Sequence, residues 1–234
     1  MTGAVPAAAI RRRIRIPLCF ADGYTTDATV VSFTGLADAQ QHVALELGRP
    51  PAAGSGLPLV RLHSECLTGD VFGSQRCDCG PQLREGVERI TTHGGYVLYL
   101  RQEGRGIGLY EKLDAYALQD GGLDTYDANL ALGHQADERD YTSAAQMLQT
   151  LGADRIALLS NNPDKGAQLA RLGITIARRV PTALHLNGTN AAYLAAKAER
   201  GGHDLLSRDP ERTAEPHRHA NPLAGPAPPG IADR

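Results

Sequence analysis

Tyr96-Val-Leu-Tyr-Leu100 runs straight into Arg101-Gln-Glu-Gly-Arg-Gly-Ile-Gly108 and then into a helical pattern from Leu109 to Gln119, stopped by Gly121-Gly122. An apolar run with no polar alternation reads as a strand buried on both faces. A Gly-rich turn and a helix after it make the repeating unit of a layered α/β domain. The same alternation recurs downstream. Asp137 to Leu151 predicts a helix ended by Gly152, Arg155-Ile-Ala-Leu-Leu-Ser160 a strand, Lys165 to Leu172 a helix, and Ile174 to Ala177 a strand ending near Pro181. Upstream, Gln82 to Thr92 reads as a helix and Leu59-Val-Arg-Leu-His63 alternates with period two. Residues 14–17, 28–33 and 42–47 are further strand candidates, and the Pro- and Gly-rich run from Gly48 to Pro58 is a loop. The expected fold class is α/β: a layered α/β/α domain on a mixed sheet.

The chain has 234 residues, enough for one domain with a sizeable core. Residues 14–206 are expected to form that domain, after a flexible N-terminus over 1–13. From Ser207 the composition turns to Pro mixed with His, Arg, Ala and Gly. Such a segment buries too little apolar surface to offset its ordering entropy, so 207–234 is predicted to be a disordered tail. The net charge of -2 argues against a sequence-independent nucleic-acid binder. No apolar stretch is long enough to span a bilayer, and Ile14-Arg-Ile-Pro17 after an Arg run is no signal-peptide core. The expected location is the cytoplasm, with no membrane and no nucleic-acid partner.

Four cysteines in a chain this long do not suggest a secreted disulfide framework. Cys66, Cys77 and Cys79 are crowded together, and Cys19 stands apart. Zn(II) takes thiolates readily, and a catalytic site typically has three protein ligands and an open fourth position. On spacing alone three readings stay open: a catalytic zinc, a closed structural metal, or inert buried thiols. An extended segment would project Cys77 and Cys79 to one side, and a continued strand would put His63 on the face opposite Cys66.

Two polar stretches sit where strands meet helices, and a third at a predicted helix start. In Arg101 to Gly108, Glu103 is suited to accept the paired N–H groups of a guanine edge and Arg105 to donate to phosphate or carbonyl oxygen. A solvated Gly-rich turn fits equally. Ser160-Asn-Asn-Pro-Asp-Lys165 offers a hydroxyl and a lysine at a strand's carboxyl end, the usual ligand edge of open α/β sheets, or simply a helix cap. Asp137-Glu-Arg-Asp140 fits a capping box; it equally fits a general base at Asp137 with Arg139 on a phosphoryl group.

Taken together these stretches resemble the GTP cyclohydrolase II family of riboflavin biosynthesis. The resemblance runs from Arg61-Leu-His-Ser-Glu-Cys-Leu-Thr-Gly-Asp70 through Arg76-Cys-Asp-Cys-Gly80, Arg101 to Gly108, Ala115-Tyr-Ala-Leu-Gln-Asp120 and Asp124-Thr125 to Ala136-Asp-Glu-Arg-Asp140, Leu159 to Pro163 and Lys165. It implies hydrolysis of GTP with opening of the imidazole ring at C8. The products would be 2,5-diamino-6-(5-phosphoribosylamino)pyrimidin-4(3H)-one, formate and pyrophosphate, the first step of riboflavin biosynthesis. It further implies Cys66, Cys77 and Cys79 as ligands of one Zn(II) per subunit, and Mg(II) with the triphosphate. Arg61, Leu62, His63, Ser64, Glu65, Gln82, Glu103, Gly104, Arg105, Thr125, Ser160 and Lys165 correspond to the GTP-contacting set. Tyr116 corresponds to an active-site tyrosine, Asp137 to the proton acceptor and Arg139 to the nucleophile, in a homodimer. Ser160 stands where the family has Thr, which keeps the hydroxyl. Tyr116 favours release of formate over a formylated product, and the fused form with a preceding domain is not expected. The alternatives are a paralogue in a specialised pathway or a catalytically silent zinc and nucleotide-binding domain.

Overall fold

The computed structural model describes residues 7–52, 56–135 and 137–190. A single seven-stranded sheet forms the frame, in the order β1-β2-β3-β5-β4-β6-β7. Its strands are β1 (Ala9–Cys19), β2 (Thr25–Thr34), β3 (Val43–Leu47), β4 (Leu59–Ser64), β5 (Gly95–Leu100), β6 (Arg155–Leu159) and β7 (Thr175–Val180). The polarity changes at β5, which pairs antiparallel with β3 and parallel with β4. From there β4, β6 and β7 are parallel, so β5, β4 and β6 end at one edge. The sheet is mixed, as expected.

Helices cover both faces. On one, α4 (Thr142–Thr150) and α5 (Pro163–Arg171) place Met147, Leu148 and Leu169 against Val60, Leu62, Leu98, Ile156 and Leu158. On the other, α1 (Cys79–His93) places Val87 and Ile90 against Leu59, Val97, Ala157 and Leu159. Neighbouring residues of one strand thus serve opposite cores, which is why β5 carries no polar alternation, whereas β4 keeps buried Arg61 and His63 at alternate positions. Between α1 and β5 the chain reverses at Gly94, whose φ of 81° and contact of a built Cβ with Arg49 O at 2.2 Å both demand glycine. None of the helices among the described residues is long and apolar enough to cross a membrane.

Four features differ from the sequence reading. Strand β1 begins at Ala9, so part of the segment expected to be flexible is paired, from Ala9↔Thr34 onward. This edge strand shows no apolar periodicity because nearly all its residues are exposed; backbone pairing and an Arg15–Asp27 contact at 2.6 Å support it. The helix expected from Asp137 starts only at Thr142. Asp137 and Asp140 instead accept the N–H groups of Arg139 (3.2 Å) and Thr142 (2.7 Å), closing local turns that compete with the helix. A short helix, α3 (Thr125–Ala131), was not expected; Asp124 caps it by accepting from Tyr126 N at 2.7 Å and Asp127 N at 2.9 Å. Cys79 opens α1 rather than lying on an extended segment. The tail expected over 207–234 and the domain end at 206 lie outside the described residues.

Candidate active site

At the carboxyl ends of β4 and β5 lies a cleft open to solvent. Its walls come from the residues after β4, the start of α1, the Gly-rich turn over Glu103–Gly106, α2 (Leu109–Asp120) and α3. Strands ending together leave their following loops to converge, and a ligand crevice forms there.

One end of the cleft holds the thiols. A π-helical turn over Leu67–Val71 follows Cys66 and folds back toward Cys77 and Cys79, bringing all three sulfurs within 4.8 Å of one another. Cys66 and Cys77 are buried, with their sulfurs 3.7 Å apart. Gly69 closes the turn over them: a Cβ there would stand 2.7 Å from Cys77 Sγ and 3.0 Å from Cys66 Sγ. Hydrogen bonding from Cys77 and Cys79, with Lys112 beside it, favours Cys66 as the thiolate and leaves the proton on Cys77. Three converging sulfurs with a side chain excluded beside them fit one soft divalent cation such as zinc. His63 is not in this cluster.

Behind the thiols, Lys112 Nζ donates to Cys66 Sγ (3.1 Å), Thr68 Oγ1 (3.2 Å) and Glu103 Oε1 (2.6 Å). Burial works against its charge, but the bond to Glu103 and the Cys66 sulfur outweigh it and hold the ammonium firmly protonated. Glu103 is buried too, and its other oxygen accepts the Leu67 N–H at 2.7 Å. Tyr116, one turn beyond Lys112, faces Thr68 Oγ1 at 3.4 Å; burial raises its phenol above the ordinary value.

The floor is built from β4. Buried Arg61 donates to Gln82 Oε1 at 2.6 Å and packs its stem on Gly86, where a Cβ would meet Arg61 Cδ at 2.6 Å. His63 stacks on Tyr99 with ring centroids 5.6 Å apart, and its Nε2 lies 3.0 Å from Asp70 Oδ1. Asp70 also accepts from Tyr99 OH (2.9 Å) and Cys66 N (3.0 Å). A carboxylate only accepts, so Nε2 carries the proton, and burial lowers the pKa of this ring below its usual value, keeping it neutral. Leu62 offers its carbonyl to Lys165 Nζ at 2.8 Å, while Glu65 accepts from Arg101 Nε at 2.7 Å.

At the far end, Arg139 grips Asp137 with two guanidinium bonds, Nε to Oδ1 at 2.8 Å and Nη2 to Oδ2, and a third group reaches Ser64 Oγ at 3.5 Å. Burial pushes the Asp137 carboxyl up, but the bonds and charge of Arg139 prevail and hold it below the usual range. Arg105 lies over the Tyr126 ring at 4.1 Å, and its φ of 65° is left-handed, as is that of Gly104. Thr125, at the start of α3, also lines the cleft.

Of the site residues expected from the sequence, Asp137 and Ser160 alone do not line the cleft. Asp137 touches it through Arg139. The Ser160 hydroxyl is engaged in its own turn, accepting from Asn162 N at 3.1 Å. Lys112, Asp70, Tyr99 and Thr68 were missed. Lys112 had a signal: it precedes Tyr116 by four residues, so both lie on one helix face. Asp70 ends the first motif of the resemblance but had no role assigned to it, and Tyr99, inside an apolar strand, had no signal.

A family model described as GTP cyclohydrolase II matches residues 19–181. GTP cyclohydrolase-2 of Vibrio parahaemolyticus is 52% identical over 179 residues, spanning 76% of this chain and 90% of that one. The enzyme of the same name from Psychromonas ingrahamii is 47% identical over 193 residues, 82% and 96% of the two chains. The riboflavin biosynthesis protein RibBA of Rhodococcus erythropolis is 51% identical over 197 residues, covering 80% of this chain and 46% of its own length. The family match takes in the thiol cluster, Lys112, Tyr116 and the Asp137–Arg139 pair, and the chain belongs to the GTP cyclohydrolase II family.

Proposed function

We propose that the chain hydrolyses GTP, opening the guanine imidazole ring at C8 and releasing formate and pyrophosphate, as the entry reaction of riboflavin biosynthesis. One observation carries this reading. A single cleft is lined both by a three-thiol cluster that could hold a metal ion and by Lys165 and Arg139, the latter paired with Asp137. Two separate centres suit a reaction that breaks a ring and a phosphoanhydride in one substrate.

Cys66, Cys77 and Cys79 would hold zinc, one ion per subunit. Bound there, the metal supplies Lewis acidity for hydrolysis at neutral pH. Glu103 Oε1 already accepts from Lys112 Nζ and Gly104 N, while Oε2 accepts only from Leu67 N and keeps a lone pair for an N–H of the guanine edge. Arg61, His63, Ser64 and Gln82 shape the floor on which the nucleotide lies, and Thr125 and Arg105 flank it. Tyr116, its phenol protonated, would donate to oxygen beside the thiols, and the family resemblance at this residue supports formate as the product. Lys165 and Arg139, with Mg(II), hold the triphosphate, and Ser160 shapes the turn that carries Lys165. Asp137 accepts from the same guanidinium that would engage the α-phosphorus, and the family resemblance supports it as the proton acceptor. The family resemblance supports a homodimer, and reduced thiols suit the cytoplasm.

The test is GTP turnover with Mg(II), quantifying formate and pyrophosphate together for the wild type and Cys77→Ser. Loss of formate with persisting pyrophosphate release is expected for the variant. Wild-type protein carrying stoichiometric zinc and yielding neither product would sink the reading.

A further inference from the structure

We propose that Lys112 is a positioning residue shared by the metal site and the guanine subsite, its one ammonium holding the Cys66 sulfur and the Glu103 carboxylate together. The inference rests on the assignment of zinc to the thiols and of guanine to Glu103. Lys112 Nζ is 3.1 Å from Cys66 Sγ and 2.6 Å from Glu103 Oε1, and both Lys112 and Glu103 are only 8% exposed. Lys165, the other lysine of the cleft, donates to the Leu62 carbonyl, on the strand side.

Charge makes this arrangement necessary. A divalent ion with three thiolates keeps one net negative charge, and Glu103 adds another close by. Buried charge of one sign is costly unless a partner of the other sign is hydrogen-bonded to it. Lys112 meets both anions at once, and Thr68 Oγ1 accepts a further N–H of the ammonium at 3.2 Å. Because Lys112 and Tyr116 are one turn apart on α2, the helix sets the sulfur, the carboxylate and the phenol by a single rigid element. An ammonium bonded to a thiolate also draws electron density from the sulfur, as groups behind metal ligands commonly do. Lys112 would therefore tune the metal as well as place the carboxylate.

The experiment compares wild type with Lys112→Met, which keeps the length and loses the charge. Zinc affinity is measured by competition with a chromophoric chelator, GMP affinity on metal-free protein, and the thiolate-to-metal charge-transfer band on Co(II)-substituted protein. Lys112→Met is expected to weaken zinc binding roughly 10- to 100-fold, weaken GMP binding, and move the band to lower energy. Lys165→Met is expected to leave zinc affinity and the band unchanged. Folded Lys112→Met with wild-type zinc affinity and an unmoved band would overturn the proposal, because a packing role alone does not shift that band. Should Lys112→Met fail to fold, Lys112→Arg and Lys112→Gln decide instead. A band that stays in place with Arg and shifts with Gln supports the charge role, and equal bands refute it. Wild-type protein that binds no zinc would instead refute the metal assignment beneath it.

Discussion

Replacing Gly69 by alanine puts one methyl group into the space that the three cysteines share. The added carbon would stand 2.7 Å from Cys77 Sγ, 3.0 Å from Cys66 Sγ and 3.1 Å from Cys79 Cβ. Non-bonded carbons rest about 3.5–4.0 Å apart and sulfur is larger, so the Cys77 sulfur must retreat by roughly 1 Å. Gly69 is not among the residues with a left-handed backbone, so alanine adds no torsional strain and the effect is steric alone. Without metal, the sulfurs can turn aside at little cost. With metal they cannot, because thiolates bind zinc at about 2.3 Å and lose the bond if displaced. Overpacking of this kind costs about 1–3 kcal/mol. At about 1.4 kcal/mol per factor of ten, zinc affinity should fall roughly 5- to 150-fold. Chelator competition reads that number, and thermal melting of the metal-free variant checks that it is folded. A folded Gly69→Ala protein with wild-type zinc affinity would refute the convergence of the sulfurs beneath this turn.

Two further outcomes concern stability. Burial alone would raise the Glu85 carboxyl, but bonds from His185, Ala183 N and Arg89 prevail and take it from 4.5 to about 2. A carboxyl lowered on folding stabilises fully above about pH 4.5 and loses that contribution as pH falls toward 2. The gap corresponds to roughly 2–4 kcal/mol. Glu85→Gln should lose about that much at pH 7 in urea unfolding and converge on wild type near pH 2; a pH-independent difference would refute the ionic origin. Gly166→Ala, inside α5 with only Leu158 Cδ2 at 3.6 Å, should gain about 0.5–1 kcal/mol, and a lowered melting temperature would contradict it.

Much of this architecture was legible because the strands that frame the cleft are buried on both sides. Tyr96 to Leu100 could hardly be anything else, and the Gly-rich turn and helix after it followed. Segments governed by single side-chain bonds were not legible. The carboxylates of Asp137 and Asp140 capture backbone N–H groups and delay α4, an outcome that no periodicity announces. Strand β1 was understated for the opposite reason, since an exposed edge has no apolar face to display. In the site, most residues carried by motifs line one cleft, with Asp137 and Ser160 outside it. Asp70 stayed hidden because its importance lies in three partners, His63, Tyr99 and the Cys66 N–H, that meet only in space.

Arg105 holds a backbone conformation that suits glycine far better than arginine. Glycine there would be easier for the chain, by something on the order of 1 kcal/mol. Its guanidinium nevertheless lies over Tyr126, and its carbonyl accepts the Glu138 N–H at 3.0 Å, next to Asp137 and Arg139. The Gly-rich turn, α3 and the Asp137–Arg139 segment are therefore coupled through one unfavourable torsion. If Arg105 contacts the nucleotide as proposed, that contact offsets the torsion, and random mutagenesis scored only for folding should drift toward glycine at this position.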